Sequence, residues 1–150
     1  MIQENVLTEE LKEIFDNNNK EYVSDKKAIY TDMLKVVYVE NNHALGYAVV
    51  YEGNDFLEKE KFMVNVQDIP KDSVYIWQIV TKKGYEGRGI ATEIITYITN
   101  KFENRNIYSC VDVTNIPSLK CHEKCGFSII CSFEDDYYRK RDKLYILLKD

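Results

Sequence analysis

No stretch of this chain approaches the roughly 20 consecutive apolar residues that a bilayer-spanning helix needs. Its start, Met1-Ile2-Gln3-Glu4-Asn5, lacks the basic and apolar pattern of a secretory signal. A membrane protein is therefore not expected, and a cytoplasmic location is. Cysteine is sparse, with only Cys110, Cys121, Cys125 and Cys131, and a chain of this size builds a core without disulfide staples. Reduced, mostly buried thiols are expected. The Cys-x-x-Cys spacing of common zinc sites is missing, and Cys121 and Cys125, four apart on one predicted helix, read as packing residues, so no metal is expected. A basic excess is also absent. The 20 Lys plus Arg against 25 Asp plus Glu give a net charge of -5, which removes general electrostatic support for a nucleic-acid partner and suits a cationic small molecule or peptide.

What the chain has is 150 residues, 45% of them hydrophobic, the size of one domain with its own core. Leu11, Ile14 and Phe15 predict a first helix over residues 8–18, with Thr8 as its cap. Two β-branched and aromatic runs, 34–40 and 45–52, flank Asn41-Asn42-His43 and predict an antiparallel hairpin that leaves His43 on the surface. Residues 53–73 are highly charged and show no clean period; a lid, an extra helix and a mobile insertion all fit them. Val74 to Thr81 is almost continuously apolar and predicts a mid-sheet strand.

Ile90, Ala91, Ile94, Ile95, Ile98 and Phe102 recur at three and four residues, the stripe of a helix over 88–102 facing a sheet. A strand at 107–113 follows, then a helix opened by Pro117 and closed by Gly126. Strands at 127–133 and 144–148, joined by a long hairpin from Glu134 to Arg141, complete an α/β (α+β) pattern. Between the mid-sheet strand and its helix lies Lys82-Lys83-Gly84-Tyr85-Glu86-Gly87-Arg88-Gly89. Glycines 87 and 89 let the backbone approach a ligand closely, and the helix that follows offers unpaired N–H groups and its positive dipole end. This is an anion site suited to a diphosphate. It has neither the Gly-x-x-x-x-Gly-Lys of a Walker loop nor the Gly-x-Gly-x-x-Gly of a dinucleotide fold.

The segment Glu86-Gly87-Arg88-Gly89-Ile90-Ala91, and after the next strand Asn115-Ile116-Pro117-Ser118-Leu119-Lys120-Cys121-His122-Glu123-Lys124-Cys125-Gly126-Phe127, together resemble the two motifs of the GNAT superfamily of acyl-CoA-dependent N-acyltransferases. The close match covers residues 74–130. The resemblance implies a mixed, mostly antiparallel sheet flanked by helices and splayed at its central strands, with acetyl-CoA as cosubstrate. Ile79, Val80, Thr81, Glu86, Gly87, Arg88, Gly89, Ile90, Ala91, Thr92 and Asn115 are then the cofactor-binding residues. In that fold the backbone of Ile79 and Thr81 pairs with the pantetheine arm, and the amides of Ile79 and Val80 face the thioester oxygen.

The implied activity is direct attack by a primary amine of a small molecule or peptide on the thioester. The family often protonates the departing thiolate with a tyrosine, and His122 stands at that position. A free imidazole titrates near pH ~6.5, which suits a proton donor; a helix histidine with no catalytic part is the other reading. Three departures bear on function. Glu86 replaces Arg or Gln and should repel phosphates unless it points away; the central strand lacks a carboxylate base, leaving water or Glu134, Asp135 and Asp136; and residues 1–20 offer little room for the family's opening strand, which a partner subunit in a homodimer could supply. A non-enzymatic acyl-CoA-binding sensor is the competing reading.

Overall fold

The computed structural model describes residues 1–21, 28–54, 69–135 and 142–150. Strands β1 (Ile2–Glu4), β2 (Leu34–Glu40), β3 (His43–Glu52), β4 (Val74–Thr81), β5 (Ile107–Asp112), β6 (Ser128–Asp135) and β7 (Asp142–Lys149) form one seven-stranded sheet in the order β1-β2-β3-β4-β5-β7-β6. Only β4 and β5 pair in parallel; every other neighbouring pair is antiparallel. Helices α1 (Glu9–Glu21), α2 (Ile90–Lys101) and α3 (Ile116–Lys124) flank the sheet, with a short 3-10 turn at Ala28–Tyr30. The expected mixed, mostly antiparallel architecture is what forms. Much of the charged segment after β3 and the whole connection 136–141 lie outside the described residues, as do the side chains of Glu134 and Asp135.

The β2–β3 turn is two residues, Asn41 and Asn42, both at positive φ (51° and 65°), so Glu40 pairs directly with His43. That is the type I′ geometry whose twist matches a hairpin, and asparagine tolerates it better than most residues. β3 is buried almost along its length because both of its faces are covered. Leu11, Ile14 and Phe15 of α1 pack with Val37, Tyr47 and Val49 on one side. Ile90, Ile94, Ile95 and Ile98 of α2 pack with Val36, Ala48, Val50 and Ile76 on the other. Thr8 caps α1, its hydroxyl accepting from the Leu11 amide at 3.2 Å, as the sequence predicts.

The expectation that residues 1–20 offer little room for an opening strand is corrected. Ile2, Gln3 and Glu4 pair antiparallel with Tyr38, Val37 and Val36. Three residues suffice because their ends are tied down. The amino terminus donates to the Val39 carbonyl at 2.9 Å, and Asn5 exchanges two bonds with the Lys35 backbone, at 2.8 and 3.0 Å. Glu4 accepts from Tyr97 and from Lys101, the latter at 2.8 Å. The Lys101 ammonium and the Tyr97 hydroxyl hold the Glu4 carboxyl below its usual range, and both come from α2, so the edge strand is fixed to a helix as well as to the sheet.

At Gly46, in β3, α2 packs directly on the strand backbone. A Cβ there would lie 2.9 Å from Cγ2 of Ile90, closer than real Cβ atoms come, and a tight 3.1 Å from the Val80 carbonyl. Gly46→Val should therefore cost about 1–3 kcal/mol through overpacking, which thermal denaturation would read as a fall of several degrees. An unchanged melting temperature would show that α2 is free to move outward.

Candidate functional site

β4 pairs with β3 as far as Thr81 but with β5 only over Val74, Ile76 and the Tyr75 between them. Past the Ile76–Ser109 rung the partners part: β4 continues along β3, and β5 continues along β7 to Asp112. At the same place the β3–β4 register shifts by one residue at Trp77, a β-bulge that bends a strand and increases its twist. The sheet is thus splayed between its central strands.

A cavity of about 1100 Å³ opens at this fork. Its walls hold Ile79, Val80 and Thr81 at the end of β4, then Glu86, Gly87, Gly89, Ile90, Ala91 and Thr92 of the turn and first helical turn, and Asn115 at the start of α3. The structure brings together every expected cofactor-binding residue except Arg88. Arg88 does not line the cavity; its guanidinium lies 4.8 Å from the centre of the Tyr85 ring, which Lys82 covers at 5.4 Å. Cation–π attraction to an aromatic three residues earlier turns it onto the loop itself.

The turn is shaped for close approach by an anion. Gly87 and Gly89 sit at φ of 78° and 80°, and none of the described residues lies within 4 Å of where their Cβ atoms would be. Gly89 is the N-cap of α2, and among the described residues no side chain caps that helix, which leaves first-turn amides as donors for a ligand. Glu86 folds back on the loop, its carboxylate accepting from the Gly84 amide at 2.8 Å. The negative charge is partly spent there, yet the side chain still lines the cavity and takes up one amide of the turn.

Asn115 caps α3 by accepting from the Ser118 amide at 3.3 Å. The Cys121 thiol lines the cavity 3.0 Å from the Thr92 hydroxyl and, like Cys125, packs against the core. All four cysteines are free thiols. Residues outside the expected cofactor-binding set also line the cavity: Glu10, Glu13, Asn17 and Asn18 of α1, Lys82 and Lys83 of the turn, and Ser118, Lys120 and Lys124 of α3. Glu10 is tied to His43 at 3.0 Å. Lys120 and Lys124 carry a readable signal, a four-residue spacing on the helix of the second motif; the α1 wall carries none, since only tertiary packing brings it there.

His122 is not on the cavity wall. It is 0% exposed, 5.1 Å from Phe127 in an edge-to-face contact. Nδ1 lies 2.8 Å from the Ser118 carbonyl and Nε2 lies 2.8 Å from the Ser109 hydroxyl. A carbonyl only accepts, so Nδ1 carries the proton and Nε2 accepts from Ser109. Burial pushes the imidazole below its ordinary pKa, with the Ser118 carbonyl opposing. The ring is therefore neutral, with both nitrogens engaged, and the expected proton donor is not brought to the cleft. An imidazole is shorter than a phenol, and the nearby Ser109 hydroxyl satisfies it inside the protein.

The sequence matches the acetyltransferase (GNAT) family over residues 4–127, and no curated protein matches it. Solved structures share the fold. An Arabidopsis thaliana NAA60 in complex with a bisubstrate analogue superposes with a TM-score of 0.73 at 13% identity, covering 99% of this chain and 97% of that one. An N-acetyltransferase from Staphylococcus aureus Mu50 has a TM-score of 0.62 at 20% identity, covering 96% and 82%. The ribosomal-protein-S18-alanine N-acetyltransferase from Escherichia coli has a TM-score of 0.68 at 12% identity, covering 99% and 92%.

A neutral buried His122 makes stability depend on pH. Its folded pKa lies below that of the unfolded chain, so the contribution is fully present above pH ~6.5 and is lost as pH falls toward the depressed folded value, because only the unfolded state takes up the proton. Thermal melting should fall between pH 7 and 5, and His122→Gln should flatten that slope. An equal slope in the variant would mean that other groups carry it.

Proposed function

Because the chain belongs to the acetyltransferase (GNAT) family, we propose that it transfers an acetyl group from acetyl-CoA to a primary amine of a small molecule or peptide by direct attack. The observation that carries this reading is the fork: a strand that leaves its parallel neighbour after three rungs and ends in an uncapped, glycine-shaped turn on the same cavity. The residues present fit acetyl-CoA. The open positions beside Gly87 and Gly89, the free end of α2 and the adjacent lysines suit a diphosphate. The end of β4, diverging from β5, suits a pantetheine arm laid along it as an added strand.

Three requirements of the chemistry fall on this chain's residues. The thioester oxygen needs donors where charge develops, and the Ile79 and Val80 amides are the candidates, each such donor being worth roughly 3 kcal/mol. The acceptor must be held while its amine is neutral. Glu10 and Glu13 face the same cavity from α1, which supports a basic amine and offers carboxylates, directly or through water, for its proton. The leaving thiolate needs a proton, and the geometry favours water over His122, whose two nitrogens are committed inside the protein. His122 is then a positioning residue that holds α3 against the fork. The E. coli neighbour is named for an alanine of a ribosomal protein, which keeps a peptide amine among the acceptors.

The sealed His122 also supports a second reading, an acyl-CoA-binding sensor without turnover. Incubation with acetyl-CoA and a panel of amines separates the two, since the enzyme releases free CoA thiol with at least one amine and a sensor with none. Gly89→Val should raise the Kd for acetyl-CoA about tenfold or more, because a β-branched residue at positive φ costs about 1–3 kcal/mol; unchanged affinity would remove the turn from the site. Glu86→Gln keeps an acceptor for the Gly84 amide but removes the charge, and should tighten acetyl-CoA about two- to fivefold at low ionic strength, less at high salt. Weaker binding by that variant would show that the carboxylate organises the turn rather than opposing the ligand.

A further inference from the structure

Four lysines line the cavity, in two pairs on two different elements: Lys82 and Lys83 lead into the glycine turn, while Lys120 and Lys124 stand on α3. None of the four is in an ion pair among the described residues, whereas Lys12 and Lys101, elsewhere, are held by Glu9 and Glu4. In a chain of net charge -5, unpaired ammonium groups gathered at one cavity call for an anionic ligand larger than the turn alone serves. Lys120 and Lys124 are four apart on a nine-residue helix, so their side chains rise from the same face, one turn apart, and can converge on one group. Both are exposed, so their side chains remain free to close on a ligand. Asn115 and Ser118 line the same wall and add hydrogen-bonding capacity.

Resting on the acetyl-CoA reading above, we infer that Lys120 and Lys124 form a subsite for the ribose 3′-phosphate and make the protein selective for CoA over its 3′-dephospho form. The diphosphate has its own binder in the turn, the first turn of α2 and the adjacent Lys82 and Lys83. The anionic group left over is the phosphate monoester, which carries between about -1.5 and -2 charges near neutral pH. A pair of ammonium groups on a separate helix matches that charge without drawing on the turn.

Isothermal titration calorimetry of the intact chain with CoA and with 3′-dephospho-CoA tests this. The wild type should bind CoA about tenfold more tightly, the size expected for one or two charge-assisted hydrogen bonds at an exposed site. In Lys120→Ala/Lys124→Ala the two ligands should bind alike, with affinity for 3′-dephospho-CoA kept at the wild-type value. Equal affinities in the wild type, or a preference that survives in the double variant, would overturn the assignment. If neither ligand binds the wild type, the acetyl-CoA reading fails, and this inference with it. Because both lysines are exposed, an unchanged melting temperature should accompany the variant; a drop in affinity for both ligands together with a lower melting temperature would mark the lysines as structural and also overturn the assignment.

Discussion

The separation of β4 from β5 past the Ile76–Ser109 rung is the constraint on which the rest of the structure depends. A continuous parallel pair would close the sheet and leave no edge for a ligand. Here β4 keeps its antiparallel partner β3 to the end, and β5 keeps β7, so each strand is satisfied on one side while the gap between them stays open. The bulge at Trp77 gives β4 the local bend at which the two part. Ser109 marks the last shared rung, and its hydroxyl donates to His122, whose other nitrogen engages the first turns of α3. The vertex of the fork is thereby bonded to one of the helices that wall it.

That arrangement explains why a titratable side chain is worth burying here. A neutral imidazole donates at one nitrogen and accepts at the other, so it links a strand hydroxyl to a helix carbonyl with no uncompensated charge. The cost is a pKa lowered by burial, which commits the fold to conditions where the ring stays uncharged. A tyrosine at this position would reach further but would supply a single hydroxyl for two partners. The same residue type that the motif suggests for proton transfer can serve, in this environment, as a strut.

The strand, turn and helix of the site were legible in the sequence because each carries a local signal: an apolar run, glycines at 87 and 89, and isoleucines at helical period. The splay followed from the family resemblance and not from any residue. What the sequence concealed was set by contacts between distant residues. Ile2 to Glu4 has no strand-like alternation, and its place in the sheet comes from hydrogen bonds to Lys35 and Val39 and from Glu4 reaching α2. Arg88 reads as a phosphate ligand until the Tyr85 ring is placed beside it. Glu10 belongs to an acidic first turn that favours the helix dipole and Glu13 follows one turn later, and only the packing of Leu11, Ile14 and Phe15 turns their helix toward the cavity.

Charge is sorted within the cavity more sharply than in the composition. Lysines from the turn and from α3 stand on one set of walls and glutamates from α1 on another, although neither sign dominates the sequence strongly. Such sorting by element gives the cleft both a basic and an acidic wall, and low-dielectric surroundings strengthen the field of each. Glu86 breaks the pattern by placing a carboxylate in the basic part, and its bond to the Gly84 amide is what makes that tolerable. In the proposed complex a phosphate at the turn would meet a loop whose shape is already held by an internal anion, so its binding would gain preorganisation while bearing repulsion from the same group. On that reading Glu86, the residue that departs from the motif, contributes both effects at once.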